Sequence, residues 1–332
     1  MTEGTEDGMD AYGVLDAVTA YQRSAVIATA VRVDVFGAIG EAAMTASAVA
    51  RVCGTAEGPT RTLLDALADM SLLAREGSGT APAYRRRGAA AQLARGGALS
   101  DLVAKEDYLA GQWQRLDETV RTGTPTIPSW RRRLEDDPAS SRTFLRALVT
   151  LARMIGADLT GIAELGAGRA VVDAGGGLGS YAVPLADHGA HVRLVELPEV
   201  AAWCRDELAA RADIEVVAAD MLTVPALGVA PGSADTVLMS HLLHDLDDAD
   251  ARTVLAGARD ALRPGGAVVV LEIPGDAPAP LGAMFDLMMQ IETPGRARRS
   301  LDLVELLRGA GFDRVRDGGV AAPNLVLVGE RG

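Results

Sequence analysis

His244 and Asp245 stand in the run DTVLMSHLLHDLDD, directly after an apolar segment that reads as a buried strand. A neutral imidazole, with an ordinary pKa of about 6.5, is the usual side chain for removing a proton near neutrality, so His244 is the candidate base. Three acids occupy matching places elsewhere. Asp173 in VVDAGGGLGSY, Glu196 in HVRLVELPEV and Asp220 in IEVVAADML each lie at or just beyond the end of an apolar run. Gly175, Gly177 and Gly179 alternate after Asp173, where the absence of a Cβ lets backbone turn tightly and approach a ligand.

The ligand these groups select is a cation. The dinucleotide fingerprint G-x-G-x-x-G needs glycine where Ser180 stands, and no Lys or Arg lies between Val171 and Ala190. A pyrophosphate would be repelled there, whereas S-adenosylmethionine, with its sulfonium and ammonium, is attracted. Glu196 is placed to accept hydrogen bonds from both ribose hydroxyls. Asp220 is placed to hold an adenine amino group, with Met221 against the ring. A metal-dependent variant using His241, His244 and Asp245 is disfavoured, because residues of a strand point to alternate faces and the two imidazoles diverge unless the strand ends between them. No metal is expected.

Such groups meet only if strand ends gather on one edge. From Arg169 onward, apolar runs at 170–174, 192–196, 215–218, 236–241, 267–273, 314–316 and 325–328 alternate with helical stretches, which predicts parallel strands with helical crossovers. The last two runs are joined by GGVAAPN, too short for a crossover helix, so the final strand is expected to be antiparallel. The ligand crevice then lies at the carboxyl ends of the strands. Upstream, residues 12–40 carry apolar positions at helical spacing and predict one long helix or two with a broad apolar face. Short helices at 45–54 and 59–73 and a small hairpin before Gly97 complete a winged-helix-like unit. Residues 98–165 stay helical, and Met154 is among the large side chains there that could line a substrate cavity.

A net charge of −13 and a pI near 4.8 argue against a surface that tracks phosphate backbones, and YRRR at 84–87 is a single basic run. Dimerisation through the apolar helical face is preferred to DNA binding. Cys53 and Cys204 are far apart and are expected to be reduced thiols in a cytoplasm. The acidic N-terminus lacks the apolar core of a signal peptide, and no run reaches the length of a membrane span.

In order and spacing, the strand with DAGGGLG, the acid in VELPEV, AADML, SHLLHDLDD, LEIP and the terminal GAGF resemble the plant caffeate-type and bacterial polyketide-tailoring small-molecule O-methyltransferases. The resemblance covers nearly the whole chain. It implies a class I methyltransferase α/β fold, a Rossmann-like, mostly parallel sheet with an antiparallel last strand. It also implies a helical dimerisation domain over residues 10–100, followed by a helical linker and catalytic domain over 101–332. Asp173, Gly175, Gly177, Glu196 with Leu197, Asp220, Met221 and Ser240 would contact S-adenosylmethionine. His244 would deprotonate a phenolic hydroxyl of an aromatic acceptor, with Asp245 and Glu272 assisting, and Met284, Met288 and Met289 would face the acceptor with Met154.

Two positions depart from the family pattern. The family's second carboxylate lies in a G-K-E-R-T segment that begins fifteen residues before the A-G-F triplet; here that segment is GRARR, Gly295 to Arg299, and the acid position is Ala297. Glu292 could reach the same space. The aromatic that usually follows the histidine–aspartate pair is Leu246. These changes keep open a diverged member that uses the cofactor for hydroxylation, decarboxylation or cyclisation, and a winged-helix regulator that senses a small ligand is a further alternative.

Overall fold

The computed structural model describes residues 8–77 and 81–332. The segment 1–7 of the acidic N-terminus and the tip of the expected hairpin at 78–80 lie outside the described residues. The chain divides into two compact units, residues 1–110 and 111–332.

In the first unit the expected one or two helices over 12–40 are three: α1 (Ala11–Thr19), α2 (Tyr21–Arg32) and α3 (Val35–Ile39). The break before α3 is Asp34, which takes a left-handed φ of 56° and so stops the helical hydrogen-bond ladder. Strand β1 (Met44–Thr45), helices α4 (Ala46–Cys53) and α5 (Glu57–Asp69), and the hairpin β2 (Leu73–Glu76) and β3 (Ala83–Arg86) follow. Both β1 and β2 pair antiparallel with β3. Phe36, Ile39, Val49, Leu64, Leu67, Leu73 and Tyr84 form the core. Helix α1 contributes nothing to it, and Tyr12, Leu15, Val18 and Tyr21 are exposed.

Helix α6 (Ala98–Trp113) runs across the division of the chain. The second unit continues with α7 (Leu116–Thr122), α8 (Trp130–Asp136) and α9 (Pro138–Ile155). Alternation then sets in: β4 (Ala170–Ala174), α10 (Ala182–Asp187), β5 (His191–Glu196), α11 (Pro198–Glu207), β6 (Ile214–Ala218), β7 (Ala234–Ser240), α12 (Asp248–Ala261) and β8 (Leu262–Glu272). Helices α13 (Leu281–Glu292) and α14 (Ser300–Gly309) and strands β9 (Phe312–Asp317) and β10 (Leu325–Arg331) close the chain.

The seven strands are ordered β6-β5-β4-β7-β8-β10-β9. Strands β6 to β8 along this order run parallel; helices return the chain between β4 and β5, β5 and β6, and β7 and β8, whereas the link from β6 to β7 holds only the 3-10 turn Pro225–Gly228. As expected, β10 is antiparallel; it lies between β8 and β9 and pairs with both. Apolar clusters pack both sheet faces, one around Val237, Val254, Leu255 and Leu307 and the other around Val171, Leu194, Leu238 and Val269. Strands buried on both faces read as continuous apolar runs, which is why they stand out in the sequence. The chain leaves β4 toward β5 and β6, then returns to the other side at β7. This switch point opens a crevice beyond the carboxyl ends of β4 and β7.

Candidate active site

Four of the candidate acids are set by the end of a strand. Asp173 is the penultimate residue of β4, Glu196 the last of β5 and Glu272 the last of β8, while Asp220 follows β6 by two residues. Ser240 ends β7, and His244 and Asp245 sit in the short 3-10 turn Leu243–Asp245 just beyond it. The turn is short because a new helix begins at once: Asp247 caps α12 by accepting from the Ala249 and Asp250 N–H groups, both at 2.9 Å, and Asp248 and Asp250 complement the helix dipole.

The glycine loop leaves β4 with positive φ at Gly175 (72°), Gly177 (59°) and Gly179 (89°). Below it, Asp173 is fully buried and neither carboxylate oxygen has a hydrogen-bonding partner among the described residues. Burial, and then the charge of Glu196, push its pKa up to about 7. Glu196 is also buried, which raises it to about 7, but the N–H groups of Leu197 and Gly177 donate to its two oxygens at 2.9 Å each and offset part of the shift. An orphaned buried carboxylate beneath a glycine cradle, beside a second acid with lone pairs to spare, fits a cationic group carrying a diol. Asp220 is engaged differently: its Oδ1 pairs with Arg131 at 2.6 Å and accepts from Leu222 N–H at 3.1 Å. Met221 is half-buried and packs at the edge of the sheet core.

Asp173 has a consequence for stability. Its folded pKa lies above its unfolded value, so the native state holds more protons between about pH 4 and 7 and this residue's contribution to stability falls as pH rises through that window. In the cofactor-free protein, Asp173→Asn is expected to raise the melting temperature at pH 8, by roughly 1–3 kcal/mol of stability, and to change little at pH 4. Thermal melts of both proteins across that range check it.

His244 is buried, and its Nδ1 lies 2.6 Å from Glu272 Oε2. Glu272 also accepts the His244 backbone N–H through Oε1 at 3.2 Å, so one carboxylate fixes both ring and main chain. Burial alone would lower the imidazole's pKa. The charges of Glu272 and Asp245 and the hydrogen bond to Glu272 outweigh it and raise the value to about 9. Glu272 is correspondingly held below its usual range, its own burial more than offset by His244. Asp245 Oδ1 is 3.7 Å from Nε2, and half of this side chain faces the open crevice. The protein surrounding that crevice still raises its pKa, to about 6, against the pull of His244. Phe285 of α13 meets the His244 ring edge to face at 5.2 Å.

The expected divergence of His241 from His244 is corrected by the structure. Strand β7 ends at Ser240, one residue earlier than expected, and His241 takes a left-handed φ of 54°. That backbone turn swings its ring back, leaving Nδ1 4.0 Å from Glu272 Oε2 and the two imidazole centroids 5.9 Å apart.

The segment after α13 clamps this turn from behind. Buried Arg298 donates to Leu243 O at 2.5 Å and Leu246 O at 2.9 Å and pairs with Asp248 at 2.7 Å, while Thr293 Oγ1 donates to His244 O at 3.3 Å. The Arg298 clamp leaves no signal in the residue pattern, because two of its acceptors are carbonyls that no residue type encodes. A Cβ on Gly295 would lie 2.1 Å from His244 O and 2.8 Å from the His244 and Asp245 carbonyl carbons, against rigid backbone. Gly295→Ala is therefore expected to cost roughly 1–3 kcal/mol and to lower turnover by displacing His244, as melts and initial rates would show. Ala297 is buried and supplies no charge. Glu292 is held by Arg133 at 2.9 Å, and that guanidinium stacks over Trp130 and Phe144; the Glu292 charge nevertheless helps raise His244. Of the four methionines, Met289 is buried, Met288 half-buried, and Met284 and Met154 are 48% and 59% exposed.

Comparison with known proteins places this arrangement. An O-methyltransferase domain model matches residues 113–313 and an O-methyltransferase dimerisation domain model matches 15–96. The chain is 30% identical to a 3-hydroxy-5-methyl-1-naphthoate 3-O-methyltransferase of Streptomyces sahachiroi over 93% of this chain and 91% of that protein. It is 28% identical to the tetracenomycin polyketide synthesis 8-O-methyl transferase of Streptomyces glaucescens, over 96% of each. The structure of an O-methyltransferase family protein from Burkholderia thailandensis superposes with a TM-score of 0.84 at 25% identity, covering 98% of this chain and 99% of that one.

Proposed function

The chain belongs to the O-methyltransferase family and is an S-adenosylmethionine-dependent methyltransferase; on that premise we propose that it methylates a phenolic hydroxyl of an aromatic, polyketide-type acceptor, with His244 as general base. The observation that carries this reading is the His244–Glu272 pair, buried at the same sheet edge as the glycine loop. Bound S-adenosylmethionine supplies an electrophilic methyl group, and Asp173, Gly175, Gly177, Glu196, Leu197, Asp220, Met221 and Ser240 are the residues we assign to holding it. Glu272 keeps the ring proton on Nδ1, which leaves Nε2 to take the acceptor's. The carboxylates beside it raise the proton affinity of His244, which narrows the gap to a phenol, about 10, and favours transfer of the acceptor's proton to Nε2. Asp245 stands beside Nε2 and stabilises the imidazolium that forms. A second carboxylate is thus supplied next to the histidine, although the family's own position is Ala297.

Met284, Met288 and Phe285 on α13 offer an adaptable apolar wall that suits a flat ring system. Of the relatives named above, one is a hydroxynaphthoate O-methyltransferase and the other an O-methyl transferase of tetracenomycin polyketide synthesis, which supports that acceptor class. The exposed apolar side of α1 supports assembly with a second copy of the chain, and Leu15→Asp with Val18→Asp is expected to shift the sedimenting species from dimer to monomer. No helix among the described residues is long and apolar enough to cross a membrane.

Incubation with methyl-labelled S-adenosylmethionine and a panel of hydroxynaphthoates, hydroxyanthraquinones and simple phenols tests the reading. Label in an aryl ether, with one S-adenosylhomocysteine per product, is expected. An acceptor that gains oxygen or loses carbon dioxide without taking label would replace methyl transfer with the non-methylating chemistry of a diverged member.

A further inference from the structure

We propose that His241, His244 and Glu272 form a site for a divalent transition ion, Zn²⁺ foremost, and that its occupation switches off the proposed base. The inference rests on the reading of His244 above and adds a ligand that competes with catalysis. One ligand atom from each of the three residues lies within 4.8 Å of the others. His244 Nδ1 is 2.6 Å and His241 Nδ1 4.0 Å from the same Glu272 oxygen. Tetrahedral zinc places its ligands roughly 3.3 Å apart given Zn–N and Zn–O bonds of about 2.0–2.2 Å, so one separation opens and the other closes through side-chain rotation alone. Two imidazoles and one carboxylate are a donor set that selects borderline ions such as Zn²⁺ over Mg²⁺, which demands oxygen ligands in octahedral array.

Three features make this more than proximity. His241 holds a left-handed φ of 54°, a region that residues other than glycine enter uncommonly although histidine does so more readily than most, and its Nδ1 lies 4.0 Å from Glu272 Oε2. Glu272 is already oriented by the His244 backbone N–H, the kind of outer hydrogen bond that fixes metal ligands. The His241 side chain is 29% exposed, which gives an ion a way in.

The chemistry of inhibition follows from which nitrogen is used. The ion takes the lone pair of His244 Nδ1, and the one ring proton of the neutral imidazole, held at Nδ1 toward Glu272 before the ion binds, is transferred through solvent to Nε2. The neutral, metal-bound ring then carries its only hydrogen on Nε2 and cannot accept one from an acceptor hydroxyl. No oxidation or reduction is involved.

Calorimetric titration of untagged protein with ZnCl₂, and optical titration with Co²⁺ to observe the d–d bands of a four-coordinate ion, test the site directly. One equivalent is expected to bind the native chain and to be lost in His241→Ala. S-adenosylhomocysteine titrated into both proteins shows that each is folded and competent for cofactor. Stoichiometric Zn²⁺ is expected to slow methyl transfer at least about tenfold in the native enzyme, reversibly with EDTA, and to leave His241→Ala at its own metal-free rate. Absence of Zn²⁺ binding by protein that binds S-adenosylhomocysteine overturns the metal site and leaves the methyltransferase reading intact. Equal Zn²⁺ binding by His241→Ala overturns it too, since the ion then sits elsewhere. Loss of S-adenosylhomocysteine binding by the native protein instead strikes the cofactor assignment.

Discussion

His244→Ala lowers the rate of methyl transfer by roughly 10²–10⁴-fold while the affinity for S-adenosylhomocysteine stays within about threefold of the native value. The separation follows from geometry. His244 is tied to Glu272 and Phe285, whereas the glycine loop and Glu196 hold the groups assigned to the cofactor. Initial rates at saturating acceptor, paired with calorimetry, measure both halves. His244→Gln is the sharper companion: its amide can preserve a hydrogen bond to Glu272 but cannot accept the acceptor's proton, so turnover stays low with the turn intact. A variant that retains native rates would leave the phenol to ionise unaided and remove the histidine from the mechanism.

Glu196→Ala weakens S-adenosylhomocysteine binding by roughly 30- to 100-fold, equivalent to about 2–3 kcal/mol. Two losses combine there. The proposed diol acceptor disappears, and the N–H groups of Gly177 and Leu197, each 2.9 Å from a Glu196 oxygen, lose their shared partner, so the loop assigned to the cofactor is less well held. Glu196→Gln keeps one carbonyl oxygen and falls between the two. Calorimetry with S-adenosylhomocysteine is the measurement, and native-like affinity in Glu196→Ala would place the ribose elsewhere.

Much of this molecule was legible in the chain. The apolar runs at β4 to β8 identify themselves because strands covered on both faces have no polar side to show, and alternation with helices fixes their direction. Acids at or just beyond the ends of such runs must fall on one edge, so Asp173, Glu196 and Asp220 could be assigned to a common crevice, while Glu272 was indicated by the family resemblance. The short link before Leu325 likewise dictated an antiparallel last strand. These conclusions depend only on period and chain length, which are local properties.

What the tertiary structure decided is what depends on a single backbone turn or on a partner distant in sequence. The left-handed φ of His241 reverses the direction its ring would take in a strand and brings two imidazoles to one carboxylate. No residue type at that position announces it. Arg298 acts through main-chain carbonyls of Leu243 and Leu246, which every residue possesses, and so leaves no mark in the sequence. Glu292 and Asp220 carry the same charge as Glu272, yet Arg133 and Arg131 from α8 engage them. The sequence by itself determined the fold class, the sheet edge and the roster of chemical groups, because hydrophobic period and glycine placement are written residue by residue. Only the folded chain decided which of those groups touch, because contact is set by loop conformation and by neighbours many residues away.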